Sequence, residues 1–393
     1  MKARTFLPAL GIVNALGCAR DEVAHALLAG DTSGMVGESG WLPAGPVRVG
    51  RARGVLPDIP SRLADYAARN NRLLLAALAQ IEAAVDAALT RFGRDRVGVV
   101  LGTSTSGIAE GEAAIATWRT SGQLPAAFTY RQQEIGMPAV FLARHLDLGG
   151  PAYTVSTACT SSAKAFASAR RLLRQGLCDA VLVGGVDSLC KLTLNGFSAL
   201  ESITAELTNP LSRNRRGINI GEGAALFLHS REEAAIELLG IGETSDAYHM
   251  SAPHPEGLGA EAAMRAALAD AGLAATDVDY VNLHATATTK NDAMESRAVA
   301  RVFPGGVACS GTKPLTGHLL GAAGATELGL CWLALRTGRL PPQVWDGVAD
   351  PELPPLDLVA GTRHFVRAAG RACLSNSFAF GGSNASLLIG DAR

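Results

Sequence analysis

The chain has 393 residues, of which 48% are apolar and 18% charged, with 44 glycines and a net charge of −1. That length supports two domains of ordinary size or one large doubled domain with ample core. The near-neutral balance excludes a nucleic-acid binder, which needs a basic excess, and no apolar run is long enough for stable membrane insertion.

Phe6 to Val13 reads as a first buried strand. The stretch around it, with a basic tip, an apolar run and small residues before Cys18, also has the outline of a lipoprotein signal, although Asn14 interrupts it. Asp21 to Ala29 is a short helix, and Gly30 to Pro60 is a Gly- and Pro-rich surface excursion with little periodicity. Leu63 to Phe92 carries apolar residues at helical spacing (Leu73, Leu74, Ala77, Leu78, Ile81, Val85, Leu89), which gives one long helix or two abutting ones. Val97 to Leu101 is a strand ended by GTSTSG, and helices are expected over Glu110 to Thr120 and Ile135 to Leu146.

Tyr153 to Gly185 organises the rest. A β-branched run breaks into small residues and a helical pattern begins at once, so Cys159 sits where a strand hands over to a helix N-terminus. Unpaired N–H groups and the positive helix end favour thiolate over thiol there, whereas the bland reading is a buried structural cysteine. The partner strand Ala180 to Val183 closes on Gly184 and Gly185, and strand, helix, strand with continuous apolar runs means parallel strands buried on both faces. Seven scattered cysteines without a CxxC pair suggest neither zinc site nor disulfides and fit a reduced, cytoplasmic setting.

After the polar, Gly-rich Asn209 to Gly223 comes a strand, Ala224 to Leu228, and then the pattern starts afresh. Helices at Ala260 to Ala271, Asn291 to Val302 and Gly324 to Thr337 alternate with strands at Val278 to Leu283, Val307 to Ser310, Arg371 to Ser375 and Ala385 to Ile389. Residues 1–240 and 241–393 therefore read as two similar α/β halves, with loops at strand ends supplying the site. Three such loops carry chemistry: NLHATATTKNDAMES with His284, GTKPLTGHLLGAAGATE with Lys313, His318 and Glu327, and the Gly-rich NSFAFGGSNAS. Each alone is compatible with satisfied structural groups.

Taken together, TACTSS around Cys159, VGGVDS, NPLSRNRRGINIGEGAA, DAYHMSAPHP, the His284 loop with Asn291, Asp292 and Glu295, TKPLTGHLLGAAG and NSFAFGGSN resemble the elongating β-ketoacyl acyl-carrier-protein synthases of the thiolase-like superfamily. The resemblance covers nearly the whole chain. It implies an α/β thiolase-like fold whose halves stack as five αβαβα layers. It also implies a 3-oxoacyl-[acyl-carrier-protein] synthase, which condenses malonyl carrier with an acyl group on Cys159 and loses CO2 in fatty acid, polyketide or polyene elongation. Cys159 resembles the nucleophile, and His284 and His318 the pair facing the malonyl thioester oxygen; Lys313 resembles the supporting lysine, with Glu327 as its partner. Thr286 and Thr288 match hydroxyls that hold phosphopantetheine amides, Phe380 the aromatic gate, Phe378 a substrate-binding wall and Thr105 a position limiting acyl depth. On this reading the backbone N–H groups of Cys159 and Phe380 form an oxyanion hole, and removing His318 leaves acyl transfer intact while abolishing decarboxylation.

The resemblance further implies no metal or redox cofactor, since the substrates ride on the phosphopantetheine of an acyl carrier protein. The chain itself is expected as a homodimer, or as a heterodimer with a related ketosynthase-like subunit. A non-catalytic chain-length partner is the rival reading, disfavoured because Cys159, His284, Lys313 and His318 are all kept. Departures from the family pattern point to a specialised branch such as aryl-polyene synthesis: HATAT for HGTGT, FAFGG for FGFGG, and Lys164 past the nucleophile. Ala285, Ala287 and Ala379 replace glycines, and methyl groups there are expected to exclude φ > 0 and stiffen the loops. Lys164 either snorkels to solvent or helps hold Cys159 as thiolate. Arg62, Arg69 and Arg72 fall near one helical face, and they and Arg170, Arg171 and Arg174 are either solvated surface or a contact for an acidic carrier.

Overall fold

A computed structural model describes residues 3–43 and 45–393, so Lys2 of the basic tip lies outside the described residues. The continuous apolar runs become strands buried on both faces. In the first half these are Phe6–Val13 (β1), Val97–Gly102 (β2), Ala152–Val155 (β3), Ala180–Asp187 (β4) and Gly223–Ser230 (β5). In the second they are Ile236–Ser245 (β6), Tyr280–Leu283 (β7), Ala308–Gly311 (β8), Asp357–Leu358 (β9), Ala372–Ala379 (β10) and Ser383–Asp391 (β11). Their spatial order is β9-β8-β7-β10-β11-β6-β1-β5-β4-β2-β3.

Outward from the joint, β1-β5-β4-β2-β3 and β6-β11-β10-β7-β8 repeat the same connectivity, with β9 added at one edge. Antiparallel pairs lie next to the joint and parallel pairs toward each edge. A single pair, Phe6 with Glu237, connects the two halves. The expected division at 240/241 falls inside β6, which pairs with β11 from Ile236 onward.

Arg69–Ala79 (α1) and Met137–His145 (α2) cover the outer face of the first sheet. Between the sheets lies Ser161–Arg174 (α3), while Leu258–Ala271 (α4) and Thr289–Val302 (α5) cover the outer face of the second sheet. Ala323–Thr337 (α6) shares the middle layer with α3, and its residues Ala323 to Leu335 are all buried, as a helix apolar all round requires. Five layers, αβαβα, result. The middle helices approach the strand ends closely because glycine stands there: a β-carbon at Gly102 would lie 2.2 Å from Ser162 N, and one at Gly185 2.6 Å from Ser162 Cβ.

Two expectations need correction and one helix was missed. The Gly30 to Pro60 excursion contains two antiparallel strands, Met35–Leu42 and Gly45–Gly50, the second of which pairs with Ile220–Gly221. The glycines mask an alternation that buries Val47 and Val49. From Arg69 onward the stretch forms the second of the two expected arrangements, abutting helices α1 and Glu82–Phe92, but Leu63 lies in a separate 3-10 turn, so Arg62 shares no helix with Arg69 and Arg72. A helix at Lys191–Ala199 was not expected; its first N–H groups, those of Lys191 and Leu192, donate to Glu112 at 2.9 and 2.7 Å, a cap supplied from far along the chain. Among the described residues no single helix is long and apolar enough to cross a membrane.

Candidate active site

Cys159 lies two residues before α3, after Ala158 at φ +52°, so a left-handed residue makes the sharp turn into the helix. Its Sγ is 3.0 Å from His318 Nε2. Burial pushes the thiol up to about 12, and the charge of Lys313 offsets this only in part. Burial thus acts against the thiolate that the helix start was expected to favour, and the sulfur lies beside an imidazole.

His318 follows Gly317 (φ +74°) and is held through its backbone, with its N–H donating to the Asn219 carbonyl at 2.7 Å and its carbonyl accepting from Gly221 N at 3.0 Å. Its Nδ1 has no partner among the described residues. The rings of His284 and His318 stand edge to face with centroids 5.3 Å apart. Both imidazoles are held well below their ordinary pKa, first by burial and then by the Lys313 charge, so both rest neutral. Lys313 opens a short helix, Lys313–Thr316, and its ammonium donates to Glu327 and to the His284 carbonyl and sits 3.3 Å from His284 Nδ1. An ammonium hydrogen bond to Nδ1 corresponds to the neutral tautomer of His284 that carries its proton on Nε2. The pairing of Lys313 with Glu327, itself pushed up to about 7 by burial, agrees with the expectation from sequence.

The loop after β7 departs from expectation in its backbone. Ala285 and Ala287 adopt φ +40° and +59° despite their methyl groups. A left-handed residue other than glycine costs about 1–2 kcal/mol, and two carboxylates one turn apart on α5 hold the loop against that cost. Glu295 accepts the N–H groups of His284 and Ala285, each at 2.7 Å. Asp292 accepts those of Ala287 at 3.0 Å and Leu211 at 2.7 Å. Burial raises these acids to about 7 and about 6. Sequence reading quoted both residues without giving them a role; the usable signal was two acids at i and i+3 in the helix that follows the histidine loop. Asp187 is a third such anchor, bonded to Thr103, Ser104, Thr105 and Ala322 beneath the start of α6.

A cavity of about 370 Å³ opens onto Cys159, His284 and His318, with Thr286 and Thr288 on its wall and their hydroxyls 3.1 Å apart. Phe378 is buried edge-on to His284, with centroids 6.1 Å apart. Phe380, 37% exposed, packs on Phe197 at 5.5 Å between centroids. Phe197 comes from the helix that sequence reading missed. Ala379 is extended (φ −111°) and the left-handed residues of this loop are Gly381 and Gly382, so no glycine-only conformation is lost at Ala379. Thr105 is not brought to the cavity; its hydroxyl is bound to Asp187.

Lys164 is half-buried and has no ion pair among the described residues, and the cation acting on Cys159 is Lys313. The arginines offered to a carrier are engaged within the chain. Arg69 forks onto buried Glu222, while Arg62 and Arg72 donate to backbone carbonyls. Arg170 and Arg171 pair with Asp270 and Glu243, and Arg174 donates to the Ala3 carbonyl. Ligand atoms of Cys159, His284 and His318 lie within 4.8 Å of one another, a set of donors that could hold a soft cation, although the Lys313 ammonium beside His284 opposes one.

Comparison with known proteins gives the same family throughout. The β-ketoacyl synthase N-terminal domain profile matches residues 51–234 and the C-terminal domain profile residues 235–345. The chain is 40% identical to nodulation protein E of Rhizobium sp. (strain N33) over 250 residues, a match that spans only 61% of either protein. It is 32% identical to 3-oxoacyl-[acyl-carrier-protein] synthase 2 of Coxiella burnetii over 75% of each chain. Among solved structures, the ketosynthase ApeO in complex with its chain length factor ApeC from Xenorhabdus doucetiae superposes with a TM-score of 0.95 at 46% identity, covering 99% of this chain and 98% of that one. A β-ketoacyl synthase from Burkholderia phymatum superposes with a TM-score of 0.85 at 29% identity over the full length of both.

Proposed function

The chain belongs to the β-ketoacyl synthase family, and from that premise we propose that it is a 3-oxoacyl-[acyl-carrier-protein] synthase that extends an acyl group held on Cys159 with two carbons from malonyl carrier. The observation that carries this is the meeting of Cys159 Sγ and the His318 and His284 rings at one cavity, with Lys313 behind them. A non-catalytic chain-length partner would have no use for such a set.

In the first step Cys159 sulfur attacks the thioester carbon of an acyl carrier, and the C–S bond to pantetheine breaks. The thiol proton ends on the pantetheine sulfur. Because nothing among the described residues fixes His318 Nδ1, that ring is free to hold its proton on either nitrogen, accepting from Cys159 in one tautomer and donating in the other. In the second step malonyl carrier loses CO2, and the electrons of the broken C–C bond pass into the thioester carbonyl. Nε2–H of His284, with the tautomer set by Lys313, and of His318 donate to the enolate oxygen in a site shielded from water. The enolate carbon then attacks the acyl carbonyl, a C–C bond forms, and Cys159 leaves and takes up a proton. The chemistry calls for neither metal nor redox cofactor. Thr286 and Thr288 hold the pantetheine arm and Phe380 gates the acyl pocket.

The 46% identity to a ketosynthase solved beside its chain length factor favours the specialised, aryl-polyene-like branch and a ketosynthase-like partner chain. Edge strand β3 is only half-buried and so can be paired by such a partner, and Trp118, Leu124 and Tyr130 are exposed apolar side chains. Seven free cysteines fit a reducing, cytoplasmic setting. The test is to incubate the protein, alone and co-expressed with a chain-length-factor-like subunit, with malonyl carrier and a panel of acyl carriers. Mass spectrometry is expected to find 3-oxoacyl carrier two carbons longer than the donor; no extended product under either condition would refute the assignment.

A further inference from the structure

Strands β7 and β8 run side by side, with Leu283 opposite Gly311, and each ends in a loop that carries one half of the decarboxylation machinery: His284 from β7, Lys313 from β8. Directly beyond the paired ends, Ala285 is fully buried and left-handed, where glycine would be free of strain. Gly311 lies in a strand at no positive φ, where any residue is tolerated. A β-carbon at Gly311 would lie 2.4 Å from Ala285 Cβ and 3.4 Å from Pro210 Cγ. One methyl-sized space is thus shared by two positions, and it is filled from the side on which filling it is costly.

We propose that Ala285 and Gly311 form a matched pair in which the Ala285 methyl, seated in the notch left by Gly311, sets the spacing between the His284 and Lys313 loops. Ala285 is on this account a positioning residue for decarboxylation. Its N–H is anchored to Glu295, its methyl to the end of β8, and the residue before it carries both the imidazole at 3.3 Å from Lys313 and the carbonyl to which that lysine donates. Cys159 stands at the turn before α3, and the His318 backbone, though it follows the Lys313 helix, is bonded on both sides to the Asn219 to Gly221 segment, so acyl transfer is expected to respond less to the pair than decarboxylation does. The inference rests on the ketosynthase reading for its catalytic consequence, but not for the packing itself.

The test uses Ala285→Gly, Gly311→Ala and the double variant. Ala285→Gly removes the spacer and is expected to slow CO2 release from malonyl carrier about tenfold, since sub-ångström to 1 Å misplacement near reacting groups has effects of this order and larger. Gly311→Ala crowds the pair and is expected to lose more. The double variant supplies the same methyl from the other strand and is expected to recover to within about threefold of the wild type. Acylation of Cys159 from acyl carrier, followed by intact mass, changes less than about twofold in Ala285→Gly and in the double variant. Urea unfolding of the four proteins reads the packing without reference to the reaction, with Gly311→Ala the least stable and Ala285→Gly restoring it. Equal impairment of Gly311→Ala and the double variant, or equal loss of acylation and decarboxylation, would overturn the proposal. A wild-type protein that releases no CO2, together with the expected unfolding pattern, would fault the ketosynthase reading and leave the pair standing as packing alone.

Discussion

Replacing Glu295 with glutamine keeps size and shape but turns one acceptor into a donor. Both carboxylate oxygens accept backbone N–H groups at 2.7 Å, one from His284 and one from Ala285, in a fully buried site. Glutamine can satisfy only one of them and points its NH2 at the other. The loss is one hydrogen bond to a charged acceptor, about 1.5–3 kcal/mol, together with a buried donor facing a donor. Because burial already raises this acid to about 7, removing its charge returns part of the desolvation cost. The net expectation is about 2–3 kcal/mol of destabilisation, most of it local, since the freed N–H belongs to the loop that strains Ala285. His284 then loses its fixed place beside Lys313, and CO2 release from malonyl carrier is expected to fall about 10- to 100-fold. Cys159 acylation should persist, because Sγ and His318 are not touched. Stopped reactions followed by intact mass for the acyl-enzyme, with trapped CO2 counted in parallel, separate the two steps. A Glu295→Gln protein that decarboxylates within twofold of the wild type would refute the reasoning, as would an equal loss of both steps.

Other outcomes follow from the same geometry. Burial raises the Cys159 thiol to about 12, so its alkylation by iodoacetamide is expected to rise about tenfold per pH unit from pH 7 to beyond 9 as thiolate is populated; a plateau below pH 8 would show that the helix start outweighs desolvation. His318→Ala, expected from sequence to spare acyl transfer, is now expected to slow acylation as well because Nε2 contacts Sγ, whereas His284→Ala should slow decarboxylation alone; rapid-quench rates distinguish them. The imidazoles, held well below 6.5, contribute no fall in decarboxylation between pH 8 and pH 6. Glu295 and Glu327, raised to about 7, are expected to protonate there and slow it on the acid side; a rate flat from pH 8 to pH 6 would contradict the anchoring role given to those carboxylates. At Ala287, relief of left-handed strain and the added freedom of the unfolded chain nearly cancel, so Ala287→Gly should change urea stability by less than about 1 kcal/mol, while Ala287→Val, β-branched at φ +59°, should lose at least about 2 kcal/mol.

What could be read from the chain was local. The apolar runs at Phe6–Val13, Val97–Gly102 and Ala180–Asp187 announce strands buried on both faces, and the small residues after β3 announce the turn that exposes Cys159 to its neighbours. Lys313 and Glu327, 14 positions apart in the same sequence motif, also met as expected. What escaped depends on partners distant in sequence. The helix that supplies Phe197 starts on Glu112, Arg69 is taken by Glu222, and Thr105 is turned away from the cavity by Asp187. Ala285 and Ala287 adopt the backbone their side chains disfavour because Glu295 and Asp292 hold their N–H groups, and neither composition nor periodicity carries that information. For Cys159 the helix start is visible in the sequence, whereas the burial that pushes its thiol up is not.

The central claim is that one sulfur carries the acyl group until the enolate takes it. Protein first loaded from acyl carrier, freed of excess donor and then mixed with malonyl carrier should show the acyl mass on the peptide containing Cys159 disappearing at the rate at which 3-oxoacyl carrier and CO2 appear, one for one. CO2 and extended product formed while the acyl-Cys159 peptide stays unchanged, or formed equally by Cys159→Ala, would contradict it.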